Sequence, residues 1–234
     1  MNRQAQAVVL LLVGGAILRA SFTDLYLRYV KAGLQPFLIA SGILLVAAAV
    51  ATLWFEIRSR PPADHDGHSH REPMVAWLLV LPVFALLLVA PPALGSYAAN
   101  RAGTALQETS DFPPLPAGDP VKVGLVDYAT RAVYDEGKSL AGRRVQLTGF
   151  VMIGDDGAPY LARMTLSCCA ADARPVKIGL DGSVPTGVAA DTWLEVVGKY
   201  TTRSTKDDVN DGVIPYVDVE ESRRIDAPTN QYEG

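Results

Sequence analysis

Residues 144–166 read RVQLTGFVMIGDDGAPYLARMTL, and this stretch decides how the C-terminal half folds. Val145–Ile153 is dense in β-branched and apolar side chains, which suit a pleated strand. Asp155-Asp156-Gly157 supplies hairpin-turn chemistry, and Tyr160–Leu166 returns as a second strand. Working outward, Pro175–Leu180 reads as a third strand closed by the Asp181-Gly182 turn, Trp193–Tyr200 as a fourth and Val213–Glu220 as a fifth. Val184–Asp191 is the place for a loop or short helix between the third and fourth. Upstream, Leu125, Ala129, Ala132 and Val133 fall on one face of an amphipathic helix spanning Leu125–Glu136, and Gly137 suits its stop.

Five short strands with an insert between the third and fourth predict a small all-β, OB-like Greek-key barrel over residues 121–234. Many barrels of this kind bind oligonucleotides. Here the net charge is −4 and the pI near 5.4, so the basic footprint of a nucleic-acid binder is missing. No nucleic-acid partner is expected.

The N-terminal 95 residues have a different character. A bilayer core of about 30 Å needs about 20 helical residues. Leu34–Phe55 and Met74–Leu94 are uncharged and meet that length, and Pro82 in the latter is tolerable as a kink. Ala5–Leu18 is shorter, cut by Arg19, and is read as a retained helix that continues through Ser21–Val30. The fold class is therefore membrane α, with two to three transmembrane helices, plus the barrel. Residues 1–95 form the anchor, with a His/Asp-rich loop at 58–73, and the lipid bilayer is a partner. Arg3, Arg58, Arg60 and Arg71 balance Arg19, Arg28, Lys31 and Arg101, so loop charge does not fix sidedness. The reading adopted is a multi-pass protein of the cell membrane with an inside N-terminus and an extracytoplasmic C-terminal domain. Residues 96–120, with the cluster Phe112-Pro113-Pro114-Leu115-Pro116, read as a Pro-rich linker that holds the barrel off the membrane.

Chemistry-bearing residues fall into two clusters. The two cysteines are adjacent, in Ser167-Cys168-Cys169-Ala170-Ala171-Asp172-Ala173. In a regular strand neighbouring side chains face opposite ways, so both thiols can share one ion only where the strand ends or bulges. Asp172 is the nearest third ligand for zinc or another soft divalent ion. Core packing and a vicinal disulfide are the other readings of the pair. The three histidines all lie in Asp64-His65-Asp66-Gly67-His68-Ser69-His70. His65, His68 and His70 suit a loose metal-collecting loop, and a polar connector is the plainer alternative. There is no Walker loop, no GxGxxG after a strand and no histidine beside a serine nucleophile, so the chain is not expected to be an enzyme. Asp207-Asp208-Val209-Asn210-Asp211-Gly212 departs from the EF-hand pattern and reads as a solvated turn.

The order of spans, His/Asp loop, Pro-rich stretch, Leu140-Ala141-Gly142-Arg143, Thr148-Gly149-Phe150-Val151, Cys168-Cys169-Ala170-Ala171-Asp172-Ala173 and Trp193-Leu194-Glu195-Val196-Val197-Gly198 resembles the YcgQ-like family of membrane permease subunits. That resemblance implies a separate YcgR-like multi-spanning permease as partner and a role in metal handling. It places the family's cysteine pair on Cys168 and Cys169, beside Asp172. The function it leads to is a membrane-anchored accessory subunit of a two-component permease that binds zinc or a similar ion. The alternatives are a docking subunit without metal chemistry and an envelope thiol-redox protein.

Overall fold

The computed structural model describes residues 3–58, 91–155 and 157–233. The chain divides into two compact units, Met1–Tyr26 with Ala32–Pro92 and Leu27–Lys31 with Ala93–Gly234.

In the first unit, α1 (Arg3–Ser21) and α2 (Gln35–Arg58) pack along each other. The contact uses small residues at seven-residue spacing: Ala7, Gly14 and Ser21 on α1, Gly42 and Ala49 on α2, all buried. A side chain at Gly14 would come within 3.1 Å of the Gly42 carbonyl, so glycine sets how closely the backbones approach. The large apolar side chains point away from this contact, with Phe37, Leu44 and Ile57 each about 70% exposed (71%, 68% and 74%). Among the described residues one helix, Ala32–Arg58, is long and apolar enough to cross a membrane. Its outward-facing apolar surface is unlike the core helix of a soluble protein, and is compatible with a membrane anchor or a signal sequence. The continuation of the first helix expected through Ser21–Val30 does not form. The helix stops at Ser21, single-turn 3-10 segments follow, and Leu27–Lys31 leaves to join the second unit. Of the third apolar segment, Met74–Leu94, residues 74–90 lie outside the described residues, as does the histidine loop.

The second unit is a closed five-stranded β-barrel. Its strands are β2 (Arg144–Ile153), β3 (Pro159–Thr165), β4 (Arg174–Gly182), β5 (Trp193–Lys206) and β6 (Val213–Arg224). Going round the barrel the order is β2, β3, β4, β6, β5 and back to β2, and only the β4–β6 pair is parallel. Short strands β1 (Val121–Lys122) and β7 (Tyr232–Glu233) add in parallel to β2 and β3. Closure depends on β2. Arg144–Phe150 pair with β5, and Phe150–Ile153 pair with β3. The handover falls at Phe150, and at the preceding Gly149 a Cβ would sit 2.7 Å from the Ala162 carbonyl oxygen. Only glycine lets the strands approach this closely.

Val145, Leu147, Leu161, Ile178, Leu194 and Val217 fill the interior. It is plugged by α4 (Leu125–Tyr134), which follows a short α3 (Ser96–Arg101) and buries Leu125, Tyr128, Ala129 and Ala132. The Tyr128 hydroxyl donates to the Tyr216 carbonyl at 2.8 Å, and burial raises its pKa. The plugging helix thus precedes the first barrel strand, while residues 184–191, the expected place for a loop or short helix, form a loop. Phe150 and Met152 point outward yet are buried, because Ala99, Tyr160, Trp193 and Tyr232 cover that side. Burial on both faces explains why Phe150-Val151-Met152-Ile153 is apolar without alternation.

Residues 96–120, expected as a spacer, instead pack against the barrel. Ala99 is fully buried, the Ala105 N–H donates to the Pro175 carbonyl at 2.9 Å, and Leu106 and Leu115 lie on the core. Arg131 donates to the Pro113 carbonyl, and Arg143 to those of Pro116 and Gly118. Prolines leave the stretch poor in N–H donors and rich in unpaired carbonyls, which these guanidinium groups satisfy.

The turn after β5 is anchored rather than fully solvated. Asp207 is 2% exposed; it pairs with the equally buried Lys177 at 2.8 Å and accepts the Thr104 N–H at 2.8 Å. Removing one member of a buried pair leaves its partner uncompensated. Asp207→Ala is expected to destabilise the barrel by about 3–5 kcal/mol, read as a lowered unfolding midpoint; an unchanged midpoint would contradict the pairing.

Candidate thiol and carboxylate site

The sequence Ser167–Ala173 connects β3 to β4, and its geometry starts from one carboxylate. Asp172 ends a single 3-10 turn, Ala170–Asp172, for which Cys169 is the N-cap. The Asp172 side chain reaches back over the turn. It accepts the Ser167 N–H on Oδ1 at 2.9 Å, and those of Cys168 and Cys169 on Oδ2 at 2.8 and 3.4 Å. This is a capping box with cysteine in the place usually held by serine or threonine.

Because neighbouring backbone N–H groups converge on one carboxylate, the strand pleat is broken and both thiols come to the same side. The two Sγ atoms and an Asp172 oxygen all lie within 4.8 Å of one another. Cys168 is exposed and Cys169 half-buried, and both are free thiols. An exposed Cys168 does not fit the reading of the pair as core filling. The Cys168 thiol donates to Asp172, which with the neighbouring Cys169 pushes its pKa up to about 11. The same bond, with the backbone donors, lowers Asp172 to about 2.

A segment distant in sequence, residues 29–31, also meets this loop. Val30 pairs with Cys169 in an antiparallel bridge. Lys31 N–H donates to the Cys168 carbonyl at 3.1 Å, and Ala170 N–H to the Tyr29 carbonyl at 2.7 Å. Next to them the Leu94 N–H donates to the Tyr232 hydroxyl, which donates in turn to the Arg28 carbonyl, each at 3.0 Å. A cleft lined by Lys31, Thr165, Ser167, Asp172, Arg174 and Glu233 opens beside the loop.

The donor set suits a soft divalent ion. Tetrahedral zinc accepts thiolate and carboxylate donors, and three protein ligands leave one position exchangeable. Cys168 and Cys169 are the better placed donors. Asp172 already accepts backbone bonds on both oxygens, so it orients the loop as well as offering a ligand atom. His65, His68 and His70 lie outside the described residues. The Cys169-x-x-Asp172 spacing was the sequence signal for the turn that joins the thiols; nothing in the sequence pointed to residues 29–31.

Removing the negative charge of Asp172 while keeping its shape gives a test. With Asp172→Asn the Cys168 pKa falls from about 11 toward its ordinary value of 9.0. The thiolate population at pH 8 then rises, partly offset by weaker nucleophilicity, so alkylation of Cys168 should accelerate about tenfold. Equal rates in the two proteins would contradict the hydrogen bond.

The chain is thus a closed β-barrel that displays two thiols and a carboxylate on one loop, joined in sequence to an apolar helix of membrane-crossing length. Residues 126–233, from α4 to β7, match the family model described as the DUF1980 C-terminal domain. No curated protein and no solved structure matches the chain.

Proposed function

We propose that this is a membrane-anchored accessory subunit of a two-component permease, and that its barrel binds zinc or another soft divalent ion through Cys168 and Cys169 with Asp172. The observation that carries the reading is the convergence of the two Sγ atoms and the carboxylate within 4.8 Å on an accessible loop. Three donors and an exchangeable position favour an ion that is taken up and passed on over one that holds the fold together. The YcgQ-like resemblance and a YcgR-like partner belong to this same reading, as does the OB-like Greek-key assignment, which the strand circuit and the parallel β4–β6 pair support.

The multi-pass arrangement has a topological argument. Residues 29–31 pair with residues 168–170, so the segment before α2 and the barrel share one side of any membrane. In sequence, Met74–Leu94 is long and apolar enough for a second crossing after α2. Reporters placed in the 58–73 loop and after Gly234 should then register on opposite sides. Registration on the same side would remove the second crossing.

The metal reading predicts that the full-length, reduced chain takes up one zinc ion. Cys168→Ser and Cys169→Ser should each weaken uptake at least about tenfold with little change in the melting curve. Absence of bound zinc in the unaltered protein, by elemental analysis after equilibration, would end the metal part of the proposal.

A further inference from the structure

The backbone of the thiol loop is shared with a distant piece of chain. Residues 168, 169 and 170 are each tied to Tyr29–Lys31 by a bridge or a backbone hydrogen bond, and Arg28 is tied to Tyr232. Leu27–Lys31 belongs to the barrel's unit, although in sequence it connects α1 to α2. It reaches the barrel at the thiol loop.

We infer that metal binding at Cys168–Cys169–Asp172 and docking of the Tyr29–Lys31 segment on the thiol loop are energetically coupled. This rests on the metal reading of the same site.

The coupling follows from which groups each event uses. The strand fixes the peptide groups of Cys168, Cys169 and Ala170, and Asp172 fixes the N–H groups of Ser167, Cys168 and Cys169. Together they hold Cys169 extended, with φ −151° and ψ 172°, at the point where its side chain joins that of Cys168. An ion held between these side chains displaces both thiol protons to solvent, and the backbone bonds to Tyr29–Lys31 use none of its donor atoms. A docked strand therefore lowers the ordering cost of binding the ion, and by reciprocity a bound ion holds the strand. The effect is positive in both directions.

Lys31→Pro tests the strand selectively. Proline removes the N–H that donates to Cys168 and still permits Val30 to remain extended. In full-length chain titrated with cobalt(II), whose thiolate charge-transfer absorption reports ligation, the variant is expected to bind about tenfold more weakly than the unaltered protein. In the unaltered protein, zinc should slow hydrogen exchange at the Lys31 and Ala170 amides, with Gly198 N–H in the barrel wall as the control. Equal cobalt affinity in the variant together with unchanged exchange at both amides would overturn the coupling and leave the site standing. No cobalt absorption in the unaltered protein would overturn the site itself.

Discussion

The barrel closes because one strand serves two partners. β2 pairs with β5 along its first part and with β3 along its second, and the change of partner falls at Phe150, next to Gly149, which lets the Ala162 carbonyl come close. Everything that positions the thiol loop follows from that closure. β3 and β4 emerge from it as an antiparallel pair, and their connection carries Cys168, Cys169 and Asp172. The plugging helix α4 can be buried only because a closed barrel offers it an apolar end. A sheet left open at β2 would leave β3 as an unpaired edge, with a row of free backbone groups.

A second layer of structure secures the barrel from outside. Glu233 accepts the first two helical N–H groups of α4, from Leu125 and Val126, and lies 3.5 Å from the Arg163 guanidinium. A carboxylate at that end of a helix satisfies orphan donors and meets the favourable end of the dipole. Arg163 stacks over Trp193 at 5.0 Å and donates to the carbonyls of Asn230 and Tyr232. The residues near 232 therefore form a clamp across β3 and α4, comparable in role to the Asp207–Lys177 pair that ties down Thr104.

The five barrel strands were legible from their apolar, β-branched runs, but the polar ends of two were not: β5 continues past Tyr200 to Lys206 and β6 past Glu220 to Arg224, held there by pairing with each other. Helix α4 was equally legible from the spacing of Leu125, Ala129 and Ala132. The proline-rich stretch was read as a spacer because composition reports backbone stiffness and is blind to what the intervening Leu106 and Leu115 will find to pack on. The thiol loop lay between these cases. Adjacent cysteines suggested a break in the strand, and Asp172 three residues beyond Cys169 gives the break its cause, a capping box. The pairing of Val30 with Cys169 was beyond reach, since isolated residues 139 positions apart carry no periodic signal. Asp207 looked like a solvated turn residue; its burial is decided by Lys177 on another strand.

One hydroxyl gathers three remote parts of the chain: Tyr232 touches the carbonyl of Arg28 and the amide of Leu94. Its separation from Arg28 is 204 residues. During synthesis from the N-terminus, both helices and the thiol loop are made well before that tyrosine. The fastening of residues 27–31 by Tyr232 therefore comes later than the thiol loop itself, and a nascent chain arrested before residue 232 would carry its thiols on a loop without that support.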